Sequence, residues 1–250
     1  MQKLIFLLLL PVTLFGGWVA ENFLGGTWNP AGLVNETILS YRISFADKNS
    51  FVFSEAHLDL GAFISIFPTG CLFAGRIKFS PLIFLDVGFA AGAHTCWEFY
   101  AFPDGTTTYS ENVRDRMSPG SEIIPYISPF WIVKLKFGPL ILYNSLFLER
   151  FFYRKLWYYW YPELMVRDDW IFYWNSCMLL ELSPEFLLML KGHLQKSYDT
   201  ADTRYHIGPG VRFNVFDGNT WLIATIEYHF KEVNFSGLKL SAGLETSFSW

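Results

Sequence analysis

Charge is scarce in this chain: Asp, Glu, Lys and Arg make up 17% of its residues, and the formal net charge is -4. No run of Lys or Arg appears, so the sequence lacks the field and the patch that hold a polyanion, and nucleic acid is excluded as a partner. Cysteine is scarce as well. Cys71, Cys96 and Cys177 are odd in number and far apart, which rules out a disulfide framework and a zinc pattern; they read as small apolar side chains in packed positions. Catalytic signatures are missing: there is no GxSxG elbow, no HExxH, no P-loop and no Rossmann glycine pattern, and "SGLK" matches SxxK only at the start of a strand. No cofactor or metal is expected. Beyond residue 20 no apolar run of about twenty residues remains, so membrane-spanning helices are excluded although 52% of the chain is hydrophobic and 20% aromatic.

What is present begins with "MQKLIFLLLLPVTLFGGWVAENF". Lys3, the apolar stretch Leu4 to Phe15 and the small residues Gly16, Gly17 and Ala20 describe a secretory signal peptide over residues 1–20, leaving residues 21–250 as one domain. Trp18 would stand three places before a cut after Ala20, where a small residue is wanted, so a cut a few residues earlier is the alternative.

The rest of the chain alternates. In "GLKLSAGLETSFSW" the residues Leu238, Leu240, Ala242, Leu244, Thr246, Phe248 and Trp250 share one face, while Lys239, Ser241, Gly243, Glu245, Ser247 and Ser249 share the other. Leu58, Leu60, Ala62, Ile64 and Ile66 oppose His57, Asp59, Gly61, Phe63 and Ser65, and Leu85 to Trp97 repeat the pattern. A period of two marks a strand between two different solvents. These rows also exceed the five or six residues of an ordinary strand and suit the roughly 9–11 that cross a bilayer at a tilt.

Strands are expected at residues 38–46, 55–67, 71–80, 83–98, 127–137, 140–153, 168–183, 186–198, 205–216, 220–231 and 237–250. Tight punctuators ("FSPL", "FGPL", "SPE", "FDGN") take turns with long polar stretches such as "AFPDGTTTYSENVRDRMSPGSE" and "SYDTADTR". Short turns at one end and long loops at the other describe an antiparallel up-and-down barrel. Eleven segments leave an odd count, so a further strand is expected between Glu21 and Val34; the fold is read as all-β, a transmembrane barrel of about 12 strands, with 10 or 8 as alternatives. In "LILYNSLFLERFFYRKLWYYWYPEL" neither face is cleanly apolar, and a bulge is expected to restore the alternation. With "RDDWIFYWN" this segment should build a hairpin beyond the bilayer, its apex near Pro162 and its 151–161 stretch part of an interfacial aromatic girdle.

These features together resemble the bacterial outer-membrane β-barrel class, small and porin-like, with no subfamily identified. The resemblance implies export through the Sec route into a Gram-negative-type envelope, a multi-pass place in the outer membrane and contact with its lipid. It also implies that Phe248 and Trp250 resemble the terminal aromatic signal read by the barrel-assembly machinery. Oligomeric state is left open.

The inner face would carry Asp59, Arg76, Lys78, Asp86, Lys134, Lys136, Glu181, Lys191, Arg212 and Glu227, followed by Lys239 and Glu245. Signs mostly alternate between neighbouring strands, with Glu181 beside Lys191 and Arg212 beside Glu227, which limits the cost of charge in a narrow lumen. The set is either the packed polar core of a surface-exposed structural barrel or the lining of a narrow passive channel for small solutes, and no strong ion selectivity is expected. The alternatives are a barrel-embedded hydrolase or acyltransferase using His57, His94 or His229, and an adhesin acting through the 150–170 hairpin. No nucleophile supports the first, so no catalytic residue is assigned.

Overall fold

A computed structural model describes residues 16–28, 32–45, 50–68, 70–101, 118–153, 157–159, 164–166, 168–198, 203–216, 219–230 and 237–249. Twelve long strands carry the fold: β1 (Gly16–Trp28), β2 (Gly32–Ser44), β3 (His57–Phe67), β4 (Gly70–Leu82), β5 (Leu85–Ala101), β6 (Ser118–Phe137), β7 (Leu140–Phe151), β10 (Trp170–Ser183), β11 (Phe186–Ser197), β12 (Thr203–Phe216), β13 (Thr220–Phe230) and β14 (Gly237–Ser249). Between β7 and β10 lie two short strands, β8 (Trp157–Tyr159) and β9 (Leu164–Val166). Each long strand pairs antiparallel with its neighbours in sequence. The first, β1, pairs with β14, and the continuous ring of pairings closes the sheet into a barrel. The shortest long strands have 11 residues, which at about 3.3 Å each and a tilt of about 40° cover the roughly 25 Å apolar band of a membrane barrel.

The faces separate as the alternation demands. Outward positions on every long strand except β7, whose residues are all at least half-buried, expose large apolar side chains, among them Leu24, Leu39, Ile64, Phe73, Phe89, Trp131, Met178, Leu188, Ile207, Leu222 and Leu244. Aromatic residues gather at both rims: Trp18 meets Tyr41 edge-on at 5.5 Å and Phe45 meets Phe79 at the short-turn rim, while Tyr198, Tyr205, Tyr228 and Phe230 are exposed at the other. A closed barrel of even strand number with this belt has no use for water on its outer surface.

Four local expectations change. The missing strand is β1, and it begins at Gly16, inside the stretch read as a leader; Gly16 to Ala20 pair with Ile43 to Leu39 of β2, and Val19 stands opposite Ser249. The "FSPL" turn lies inside β4, where the register to β5 shifts between Phe79 and Leu82, and the reversal comes after Leu82. No bulge interrupts β7 against β10: the ladder holds one register from Arg150↔Trp170 to Leu140↔Leu180. The adjacent polar pair simply divides, Ser145 pointing inward to accept a hydrogen bond from Asn175 and Asn144 pointing out. Finally, the loop hairpin does not extend the β7–β10 ladder; β8 and β9 pair with each other, and Trp157 pairs with Ala101 of β5. Pro162 lies outside the described residues.

Inside the barrel, two apolar clusters stand among the described residues. Phe67, Leu72, Ala74, Ile124, Tyr126, Phe151, Ile171 and Tyr173 pack in the loop-side half across β3 to β7 and β10, and Leu179, Leu187 and Met189 pack in the turn-side half. Close strand contact is enforced at Gly92 on β5, where a Cβ would run into the Phe73 carbonyl of β4.

Candidate functional site

The polar chemistry of the barrel lies in its lumen, on the inward rows between the two apolar clusters. Asp59 on β3 is buried and takes two hydrogen bonds from Arg42 of β2, 2.7 Å from Nε and 2.9 Å from Nη2. Lys78 of β4 approaches it at 2.8 Å, and His57 Nε2 lies 3.5 Å away. Asp86 receives Lys134 at 2.8 Å, and Glu181 receives Lys136 at 2.8 Å. Across the barrel, Glu227 accepts from Lys191 at 3.1 Å and Thr225 Oγ1 at 2.8 Å and meets His206 Nδ1 at 3.1 Å. Arg212 pairs with Glu245 at 3.1 Å. Arg76 lies over the Phe130 ring at 4.8 Å and lines a cavity of about 10 Å³ with Glu21, Ser40, Asp59 and Lys78, room for about one water.

Two of these partners differ from the ones expected from sequence: Lys191 reaches Glu227 rather than Glu181, and Arg212 reaches Glu245 rather than Glu227. The sequence reading missed Glu21, which lies on the unread strand β1, and Arg42, which follows the inward row Ile38, Ser40 of β2 and was there to be read. It also missed a loop-side group in which the buried Ser197 hydroxyl donates to Asp169 at 2.6 Å, and buried Arg204, opposite Gln195 on β11.

The radial order of these charges matters more than their number. The Asp59, Asp86 and Glu227 side chains are 5%, 6% and 1% exposed, while one cation on each is much more open: Arg42 33%, Lys134 44% and Lys191 36%; Lys78, the second cation on Asp59, is itself buried. Carboxylates sit against the wall and ammonium or guanidinium heads stand in front of them. A balanced charge count therefore presents mainly positive heads to lumen water. Glu245, 43% exposed beside Arg212, is a counterexample at the turn-side rim.

The histidines are held rather than poised. His57 Nδ1 donates to the Glu55 carbonyl at 2.6 Å. His94 is enclosed by the Phe67 and Phe151 rings, with Cys96 Sγ 3.4 Å from Nδ1. His193 and His206 stack at 4.6 Å. Thr225 directs its hydroxyl to Glu227 at 2.8 Å. The side chain of His229, the aromatic side chains of residues 157–159 and the terminal Trp250 lie outside the described ones, whereas Phe248 is exposed on the outer belt.

These features define a class: the chain is an outer-membrane β-barrel with a polar lumen and a lipid-facing exterior. No family model matches it, and no curated protein matches it in sequence. Among solved structures it is similar to the NanC porin, at 10% identity over 91% of this chain and 98% of that one, with a TM-score of 0.48. It is also similar to the β-domain of the Bordetella autotransporter Brka, at 13% identity over 93% and 99% with a TM-score of 0.47. A third is the KdgM porin, at 7% over 92% and 99%, again 0.47. The class assignment rests on the ring of pairings and the two faces of this chain itself.

Proposed function

We propose that the chain is a narrow, passive channel for small solutes whose lining favours anions. The observation that supports this is the layering of the lumen, where the partly open Arg42 and Lys191 heads and the exposed Lys134 head cover buried carboxylates. In a constriction walled by low-dielectric protein, the accessible charge dominates the potential felt by a permeating ion, and a carboxylate capped at 2.8 Å is largely neutralised. Lys134 and Lys136, one above the other at the turn-side end of β6, form the most open cationic pair.

Planar-bilayer recording of the refolded protein tests this. Under a potassium chloride gradient the reversal potential should have the sign of chloride preference, and Lys134→Glu with Lys136→Glu should move it toward cations. Absence of unitary current in any salt would remove the channel reading. That outcome would favour a second reading, a surface-exposed structural barrel, which draws support from the loop-side cluster of Phe67, Ile124, Phe151 and Ile171 filling part of the lumen.

A further inference from the structure

The outer wall made by β14, β1 and β2 breaks the rule of the belt. Asn22, Asn35, Thr37 and Thr246 all occupy outward positions there, among exposed Leu24, Leu39, Ile64 and Leu244. Asn22 Nδ2 donates to Thr37 Oγ1 at 2.8 Å and to the Glu36 carbonyl at 3.1 Å, and Thr37 Oγ1 donates to Asn35 Oδ1 at 3.3 Å. Among the described residues this leaves the Asn22 oxygen and the Asn35 amino group unpartnered. A primary amide facing hydrocarbon costs free energy unless it finds a hydrogen-bonding partner.

The register shows where such a partner must stand. The row through Asn22 runs down to Thr246 and Thr220, at the turn end of β13, and up through Thr37, Ile64, Phe73 and Ala93 to Pro125, toward the loop end of β6. From Asn22, one step up this row and two residues up β2 reach Asn35. At a tilt of about 40° the sideways components of the two steps nearly cancel, so Asn35 stands about 8 Å straight above Asn22. Two amides on one line along the membrane normal are self-complementary under a two-fold axis along that normal: each meets its own copy at its own depth, as an isologous interface requires. On the loop side, β1 and β2 are joined by residues 29–31 alone and β3 and β4 by residues 68–69.

We propose that this chain forms a homodimer in the membrane through the β14–β1–β2 wall, with Asn35 hydrogen-bonded to the Asn35 of a second copy and Asn22 facing its counterpart. The proposal is independent of what passes through the lumen. Association of the refolded full barrel can be followed by sedimentation equilibrium in density-matched micelles over a range of protein-to-detergent ratios. The wild type should show a monomer–dimer equilibrium, and Asn22→Leu with Asn35→Leu should weaken it about tenfold. Asn144→Leu, which removes an outward amide from β7 across the barrel, should leave it unchanged. A second measurement covers the case in which the double variant fails to fold: Asn35→Cys in a Cys71→Ser background should form a disulfide-linked dimer on mild oxidation, and Asn144→Cys should not. A wild type that stays monomeric at every ratio, a folded double variant that associates as the wild type does, or no cross-link through position 35 would each overturn the proposal.

Discussion

Replacing Asp59 with Asn removes one negative charge and almost no volume from the most heavily contacted carboxylate of the turn-side lumen. Its buried oxygens face Arg42 at 2.7 Å, Lys78 at 2.8 Å and His57 at 3.5 Å. In the variant, Arg42 and Lys78 are left facing each other with no counter-charge between them. Breaking a buried ion pair from one side costs about 3–5 kcal/mol, and because the Arg42 side chain is one-third open to the lumen we expect about 2–4 kcal/mol here. Urea titration of the folded barrel in detergent, followed by tryptophan fluorescence, reads that loss directly. A double-mutant cycle then identifies its cause: Lys78→Met removes the second cation, so Asp59→Asn with Lys78→Met should be less destabilised than the sum of the single variants by about 1–3 kcal/mol. In a bilayer the single variant should raise chloride preference, since it strips the carboxylate from beneath its cations. A loss below about 1 kcal/mol, or strict additivity in the cycle, would refute the idea that Asp59 organises this network.

Other consequences follow from the same frame. Gly92→Ala forces a methyl toward the Phe73 carbonyl and should cost about 1–3 kcal/mol in the urea titration. Gly138, at φ +58 in the turn between β6 and β7, should lose about 1 kcal/mol on change to Ala. Deleting residues 248–250 should lower the yield of heat-modifiable, membrane-inserted barrel without changing the conductance of the molecules that do insert; normal insertion would end the assembly-signal assignment. Because Val19 stands opposite Ser249 and Gly16 to Ala20 pair with β2, N-terminal sequencing of the mature protein should find a start upstream of Val19, and a start at Glu21 would contradict it.

How far the sequence could be read depended on whether a position's solvent or its neighbour determined the residue there. Where lipid lies on one side and lumen on the other, as along β3, β5 and β14, polarity alternates and the faces are legible from residue types alone. Strand β1 hid for two reasons: its first residues continue an apolar leader, and its outward row carries Asn22 and Gly26 where the belt calls for hydrophobes. The unread N-terminal half of β6 holds Pro119 and Pro125, residues that argue against a central strand; Pro125 nevertheless sits in register with Ala93, and its carbonyl accepts from Phe152. The lumen charges divide in the same way. Alternation places Asp86 and Lys134 on the inner face and their neighbouring strands bring them together. It carries no information on radial depth, because depth depends on chain length: a short aspartate cannot leave the wall, whereas a lysine on the next strand reaches over it into the water. An equal count of opposite charges can therefore line a pore with one sign, and the proposed preference for anions rests on side-chain reach, which no list of inward residues contains.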